Sequence, residues 1–161
     1  AILLTHTHHD HVAGVPELVS RFPDAALRVH TGDSHRLSPE LQRRARPVGD
    51  GEMIAIGELS IKALHTPGHS AGEISYLIQT RPPCLLTGDT VFIRDCGRTD
   101  FESGSNDQMF ASLQKIKRLP PETIILPGHH YKPECASTLG RELVESPPFR
   151  CASVEELASL P

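Results

Sequence analysis

Apolar residues along this chain come in short bursts separated by turn-forming residues, a pattern that predicts an α/β layout. Ala1-Ile2-Leu3-Leu4 is a continuous apolar run of the kind a buried strand needs. Val15 to Phe22 reads as a short amphipathic helix that ends near Pro23, and Leu27 to His30 as a short strand. Asp33 to Arg46 is polar, turns basic in its second half, and predicts a helix plus loop on the surface. Glu52 to Ile56, Leu59 to Leu64, Glu73 to Gln79 and Pro83 to Thr87 read as consecutive strands. Met109, Phe110, Leu113, Ile116 and Leu119 recur at helical spacing and predict a helix over Asp107 to Leu119, stopped by Pro120-Pro121. Thr123-Ile124-Ile125 is strand-like, and Ser153 opens a last short helix with Glu156 as its capping-box partner. No solenoid-length repeat, low-complexity tract or linker interrupts the pattern, so residues 1–161 read as a single domain.

Candidate chemistry sits where the strands end. The first apolar run leads into Thr5-His6-Thr7-His8-His9-Asp10-His11, seven residues of which five carry a metal-binding type of side chain. Thr66-Pro67-Gly68-His69-Ser70 follows the strand-like Leu59 to Leu64. Leu85-Leu86-Thr87-Gly88-Asp89-Thr90 is a strand running into a turn with a carboxylate. Leu126-Pro127-Gly128-His129-His130-Tyr131 follows Thr123-Ile124-Ile125. Four times, then, an apolar strand meets an abrupt turn and a metal-type side chain. Loops on a rigid scaffold are where catalytic groups are presented. Several neutral imidazoles and carboxylates aimed at one point suit a borderline divalent ion such as zinc, or iron. A lone histidine near a strand end is more often a surface or hydrogen-bonded residue, and His9, His30, His35 and His65 are read that way.

The ordered set His-x-His-x-Asp-His, Gly-His, Gly-Asp and Gly-His resembles the metallo-β-lactamase superfamily, from residue 2 to about Tyr131. The resemblance implies an αββα sandwich with metal at one rim. By position, His6, His8 and His69 would hold a first metal, and Asp10, His11 and His129 a second, with Asp89 bridging. Either histidine of the His129-His130 pair has the right chemistry; the family pattern places the ligand directly after Pro-Gly, at His129. Two divalent ions sharing a carboxylate lower the pKa of a water toward neutrality and supply a hydroxide nucleophile. No serine or cysteine nucleophile is then required, and Asp10 and Asp89 become the catalytic carboxylates. Such a site suits an ester, thioester, amide or phosphoester. Members of the superfamily carry a strand-rich segment ahead of the first motif, which here begins at residue 5. The expectation is an N-terminally truncated or pared-down scaffold, with sheet edges open to pairing and homo-oligomerisation.

Composition narrows the partners. The chain has 161 residues, 38% hydrophobic and 22% charged, with a net charge of −4 and no basic stripe, so nucleic acid is not an expected partner. No apolar run approaches the ~18 residues that span a bilayer. Cysteines at 84, 96, 135 and 151 form no Cys-x-x-Cys pair, and free thiols in a reducing cytoplasm are the default reading. Cys96 follows Asp89 closely but reads as a packed, inert thiol.

Phe92-Ile93-Arg94-Asp95-Cys96-Gly97-Arg98-Thr99-Asp100-Phe101 resembles the loop after the bridging aspartate in two branches of the superfamily, glyoxalase II and the persulfide dioxygenases. Both act on sulfur derivatives of glutathione. The resemblance makes Arg98 the candidate grip on a substrate carboxylate, as a guanidinium suits bidentate pairing, with Tyr131 a second substrate-binding candidate. Arg98 reads equally as a structural arginine paired to Asp95 or Asp100. His6-Thr7-His8 and Pro127-Gly128-His129 lie closer to the hydrolases, whereas Arg98-Thr99-Asp100-Phe101 lies closer to the dioxygenases. About thirty residues follow Tyr131, too few for the helical region with which glyoxalase II grips glutathione. The first expectation is a dinuclear, zinc-type metallohydrolase cleaving a glutathione-type thioester. The second is a persulfide dioxygenase with one iron held at the positions of His6, His69 and Asp89. The third is a metal-binding fragment without turnover.

Overall fold

The computed structural model describes residues 1–160. In chain order the elements are β1 (Ile2–Leu3), α1 (His9–Val12), α2 (Val15–Arg21), β2 (Leu27–Val29), α3 (Thr31–Ser34), α4 (Pro39–Arg44), β3 (Ala45–Pro47), β4 (Met53–Ile56), β5 (Leu59–His65), β6 (Ile74–Ile78), β7 (Cys84–Gly88), β8 (Val91–Phe92), β9 (Asp95–Cys96), α5 (Asn106–Ile116), β10 (Ile124–Pro127), β11 (Ser137–Thr138), α6 (Leu139–Glu145), α7 (Pro147–Arg150) and α8 (Val154–Ala158). β1, β2 and β3 form a parallel three-stranded sheet. A six-stranded sheet runs β11-β10-β7-β6-β5-β4; within it β10 and β7 are parallel and the other neighbours antiparallel. β8 and β9 make a small hairpin of their own.

Three apolar layers follow from the period-2 alternation of side chains along the strands. Val48, Ile54, Ile61, Ala63, Ile74 and Tyr76 fill the space between the two sheets, with Leu3 packed against them. The opposite face of the large sheet supplies Leu64, Leu77, Leu85 and Ile125 to a core shared with Met109, Leu113 and Ile116 of α5, Leu139 of α6, Phe149 of α7 and Leu157 of α8. On the far side of the small sheet, Leu27 and Val29 pack with Val15 and Val19 of α2 and with Leu41 of α4. The order is helices, sheet, sheet, helices, the αββα sandwich. Two hydrogen bonds lock the sheets together at the end of β1. The Tyr76 hydroxyl donates to the Leu4 carbonyl at 2.9 Å, and the Ile74 amide to the Thr5 carbonyl at 2.8 Å.

The long strands and α5 form where the hydrophobic pattern predicts them. Ser105 caps α5 by accepting from the Gln108 amide, and Ser153 caps α8 by accepting from the Glu156 amide. The Glu156 carboxylate in turn accepts from the Ala152 amide at 2.7 Å. The segment 33–46 departs from the expected surface helix. It holds the end of α3, all of α4 and the start of β3, and Asp33, Leu37 and Leu41 are buried. Asp33 is buried because Gly72, Ser70 and Arg36 all donate to its carboxylate, at 2.9, 2.7 and 3.2 Å. Among the described residues no helix is long and apolar enough to cross a membrane.

Candidate metal centre

Four strand ends converge on one rim of the sandwich. After β1 the chain stays extended through His8 (φ −63°, ψ 150°), so His6 and His8 fall on one side and Thr7 on the other. The Thr7 hydroxyl is tied off on the Asp33 carbonyl at 2.9 Å. α1 then turns the chain back: the His11 amide donates to the His8 carbonyl, and the His11 ring comes to 4.0 Å from that of His6. His69 lies in the turn after β5, Asp89 directly follows β7, and His129 lies two residues beyond β10.

All seven residues singled out in the sequence meet there. His6, His8 and His69 each offer one ligand atom within 4.8 Å of the others, as do His6, His11 and Asp89, and Asp10, His11 and His129. His8 Nδ1 is 2.9 Å from His69 Nε2, and His11 Nε2 is 3.1 Å from His129 Nε2. Asp89 stands between the groups: Oδ2 is 3.5 Å from His69 Nε2 and 3.3 Å from His129 Nε2, and Oδ1 is 3.4 Å from His11 Nε2. Asp10 Oδ2 lies 3.3 Å from His129 Nε2. His9, His35 and His130 are exposed, and His30 and His65 stack on each other at 4.1 Å. Among the described residues none of these five joins a ligand group.

The donor set fits a divalent metal on two structural grounds. His6 Nε2 and Asp89 Oδ1 are buried without a hydrogen-bond partner in the protein. Orphaned polar atoms of this kind are costly unless something else occupies their lone pairs. Charge states also suit a cation. Burial, and then the neighbouring imidazoles, lower His6 and His8 to about 4, so both are neutral at pH 7. Burial works against ionisation of Asp89, but the charge of nearby His11 outweighs it and holds the carboxyl low. Against its own burial, His11 is in turn raised by Asp89 and Asp10, so that ring gives up a proton when it ligates. Neutral imidazoles and ionised carboxylates are the forms that ligate.

The loop after β9 holds His69. The Arg98 carbonyl lies 2.9 Å from His69 Nδ1 and can only accept, so Nδ1 carries the proton and Nε2 keeps its lone pair for the cluster. Gly97 makes this approach feasible, since a Cβ there would overlap the Asp89 carbonyl oxygen and crowd His69 Nδ1. Sequence reading singled out the Arg98 side chain and missed this backbone role.

A cavity of about 510 Å³ opens over the cluster, lined by His8, Asp10, His69, Asp89 and His129 at its base and by Phe92, Phe101 and Tyr131 on its walls. Arg98 also lines it; the guanidinium sits 4.7 Å over the Phe101 ring and pairs bidentately with Asp100, not with Asp95. Tyr131 is exposed and stacks on the His129 ring at 5.5 Å. Cys96 reaches the cavity from the core side, and burial pushes its thiol up to about 12, which makes it a poor nucleophile.

A family model described as the metallo-beta-lactamase superfamily matches residues 1–129, a span that contains every residue of the cluster. The chain belongs to the metallo-β-lactamase superfamily. Within that superfamily it is 44% identical over 131 residues to a hydroxyacylglutathione hydrolase of Erwinia tasmaniensis, covering 81% of this chain and 48% of that one. Its fold superposes on ETHE1 from Myxococcus xanthus with a TM-score of 0.80 at 29% identity, over 99% of this chain and 69% of that one. It also superposes on TTHA1623, solved in a di-iron-bound form, with a TM-score of 0.75 at 32% identity, over 91% of this chain and 76% of that one. The chain spans about half the length of the curated relatives it matches.

Proposed function

We propose that this metallo-β-lactamase-fold chain is a metal-dependent hydrolase that cleaves a thioester of the hydroxyacylglutathione kind. The observation that carries the reading is the second ligand group: Asp10, His11 and His129 converge beside the first, with Asp89 between. His6, His8 and His69 would hold one ion, Asp10, His11 and His129 the other, with Asp89 shared, and zinc is the ion proposed. When bound, the two ions supply an acidified water and a Lewis acid for the carbonyl oxygen. Asp10 is half exposed at the cavity floor and accepts a hydrogen bond from the attacking water, which orients it. Phe92, Phe101 and Tyr131 exclude bulk water and pack the acyl and thiol arms. Arg98 exchanges its solvent-exposed partner Asp100 for a carboxylate of the substrate. In the reaction a C–O bond forms, the C–S bond breaks, and the thiol leaves with a proton from the water. The likeness to hydroxyacylglutathione hydrolases supports the choice of thioester.

A second reading, a persulfide dioxygenase with one iron on His6, His69 and Asp89, draws on the Arg98-Thr99-Asp100-Phe101 loop and the likeness to ETHE1. Paired assays separate the two. The hydrolase reading expects loss of thioester absorbance from a 2-hydroxyacyl glutathione, and no oxygen uptake with glutathione persulfide. Oxygen uptake without thioester cleavage would overturn it.

A further inference from the structure

We propose that Glu73 is a positioning residue of the metal centre, fixing the His6 tautomer and joining it to the backbone of Asp89; this rests on the reading of His6 as a ligand. Glu73 and His6 are both fully buried. Glu73 Oε1 lies 3.3 Å from His6 Nδ1 and accepts the Asp89 backbone N–H at 2.9 Å. Ser70 Oγ, whose proton goes to Asp33, lies 3.4 Å from the other carboxyl oxygen. One oxygen thus faces groups from two separate strand ends, those of β1 and β7, and Thr5 Oγ1 is the other neighbour of His6 Nδ1, at 3.2 Å. An acceptor at Nδ1 puts the imidazole proton there and leaves Nε2 with a lone pair. Nε2 is the buried atom that has no partner in the protein. The chain makes room for the carboxyl at Gly88, which sits at φ +51°, where a Cβ would overlap Glu73 Oε1 and crowd the Thr5 side chain. A ligand histidine whose second nitrogen donates to a carboxylate is held in one tautomer and one ring orientation. Here the same carboxyl also sets the start of the turn that carries Asp89, so two ligands are placed by one group.

Nitrogen-15 NMR of metal-free wild type, together with zinc affinity by chelator competition for wild type, E73Q and E73A, tests this. Expected are a His6 proton on Nδ1 and zinc binding about 10- to 100-fold weaker in E73A. E73Q should stay within a few-fold of wild type, because its carbonyl keeps both bonds while its NH2 donates to Ser70 Oγ. A His6 proton on Nε2, a folded E73A with wild-type affinity, or an E73Q as weak as E73A would overturn the assignment. If E73A does not fold, the wild-type tautomer and the E73Q affinity decide. A wild-type chain that binds no zinc refutes the metal-centre reading instead, and the tautomer still decides the role of Glu73.

Discussion

The His69 ring is anchored to the Arg98 backbone carbonyl at 2.9 Å, so a loop carrying a substrate-binding candidate also orients a candidate metal ligand. Gly97 is the hinge of that arrangement, pressed against Asp89. Gly97→Ala should push the loop off both residues, cost about 1–3 kcal/mol of stability through overpacking, and weaken metal binding about 10-fold or more. Thermal unfolding and metal titration of the variant check this. Unchanged metal affinity in a folded G97A would show that the loop does not hold His69.

His69→Ala removes one ligand of the first group and the contact with Asp89. Metal content and activity should fall together, activity by at least about 100-fold, while circular dichroism stays that of a folded chain. Retention of both in purified H69A would sink the ligand assignment.

Arg98→Ala tests the grip on substrate. Arg98 and Asp100 are both 65% exposed, so solvent screens their ion pair and the Tm should hardly move. KM should rise about tenfold or more with kcat nearly kept, the pattern of lost uniform binding. A fall in Tm with an unchanged KM would make Arg98 a structural residue.

Stability should carry the signature of His8 in metal-free protein. Burial foremost, then His6 and His69, depress its pKa from 6.5 to about 4. The unfolded chain therefore takes up a proton on falling below pH 6.5, whereas the folded chain resists until about 4. The stabilisation of the neutral ring is present above 6.5 and is lost as pH drops toward 4. Comparing metal-free wild type with His8→Gln isolates this site, and the stability difference, wild type minus variant, should decrease across that window. A difference constant with pH would mean that His8 is not shielded.

The candidate ligand cluster and the long elements were legible because their signals are local and repeated. Each ligand candidate follows a strand run of three or more apolar-patterned residues, and α5 shows four apolar positions at helical spacing, with Leu119 continuing the pattern just beyond it. β8, β9 and β11 are two residues long, too short to show any period. α7 is only four residues long, and α6 went unread because Glu142, a charged residue, is buried in the middle of it, accepting from the Arg94 amide at 2.7 Å. The same reason hid Asp33 and Glu73. A buried carboxyl is set by donors 16 to 48 residues away in the chain, as with Asp89 for Glu73 and Arg94 for Glu142, and pattern reading sees only neighbours. The small sheet was half visible: β2 has the expected pattern, but β3 (Ala45–Pro47) is polar and proline-ended and joins only through its parallel register with β2.

The most direct test is activity against metal equivalents. Metal-free chain is titrated with zinc while hydrolysis of a 2-hydroxyacyl glutathione thioester is followed, and bound metal is counted by elemental analysis. The account predicts saturation at two ions per chain, with full turnover only when the second is bound. Saturation at one ion, or two bound ions with no thioester cleavage, would contradict it.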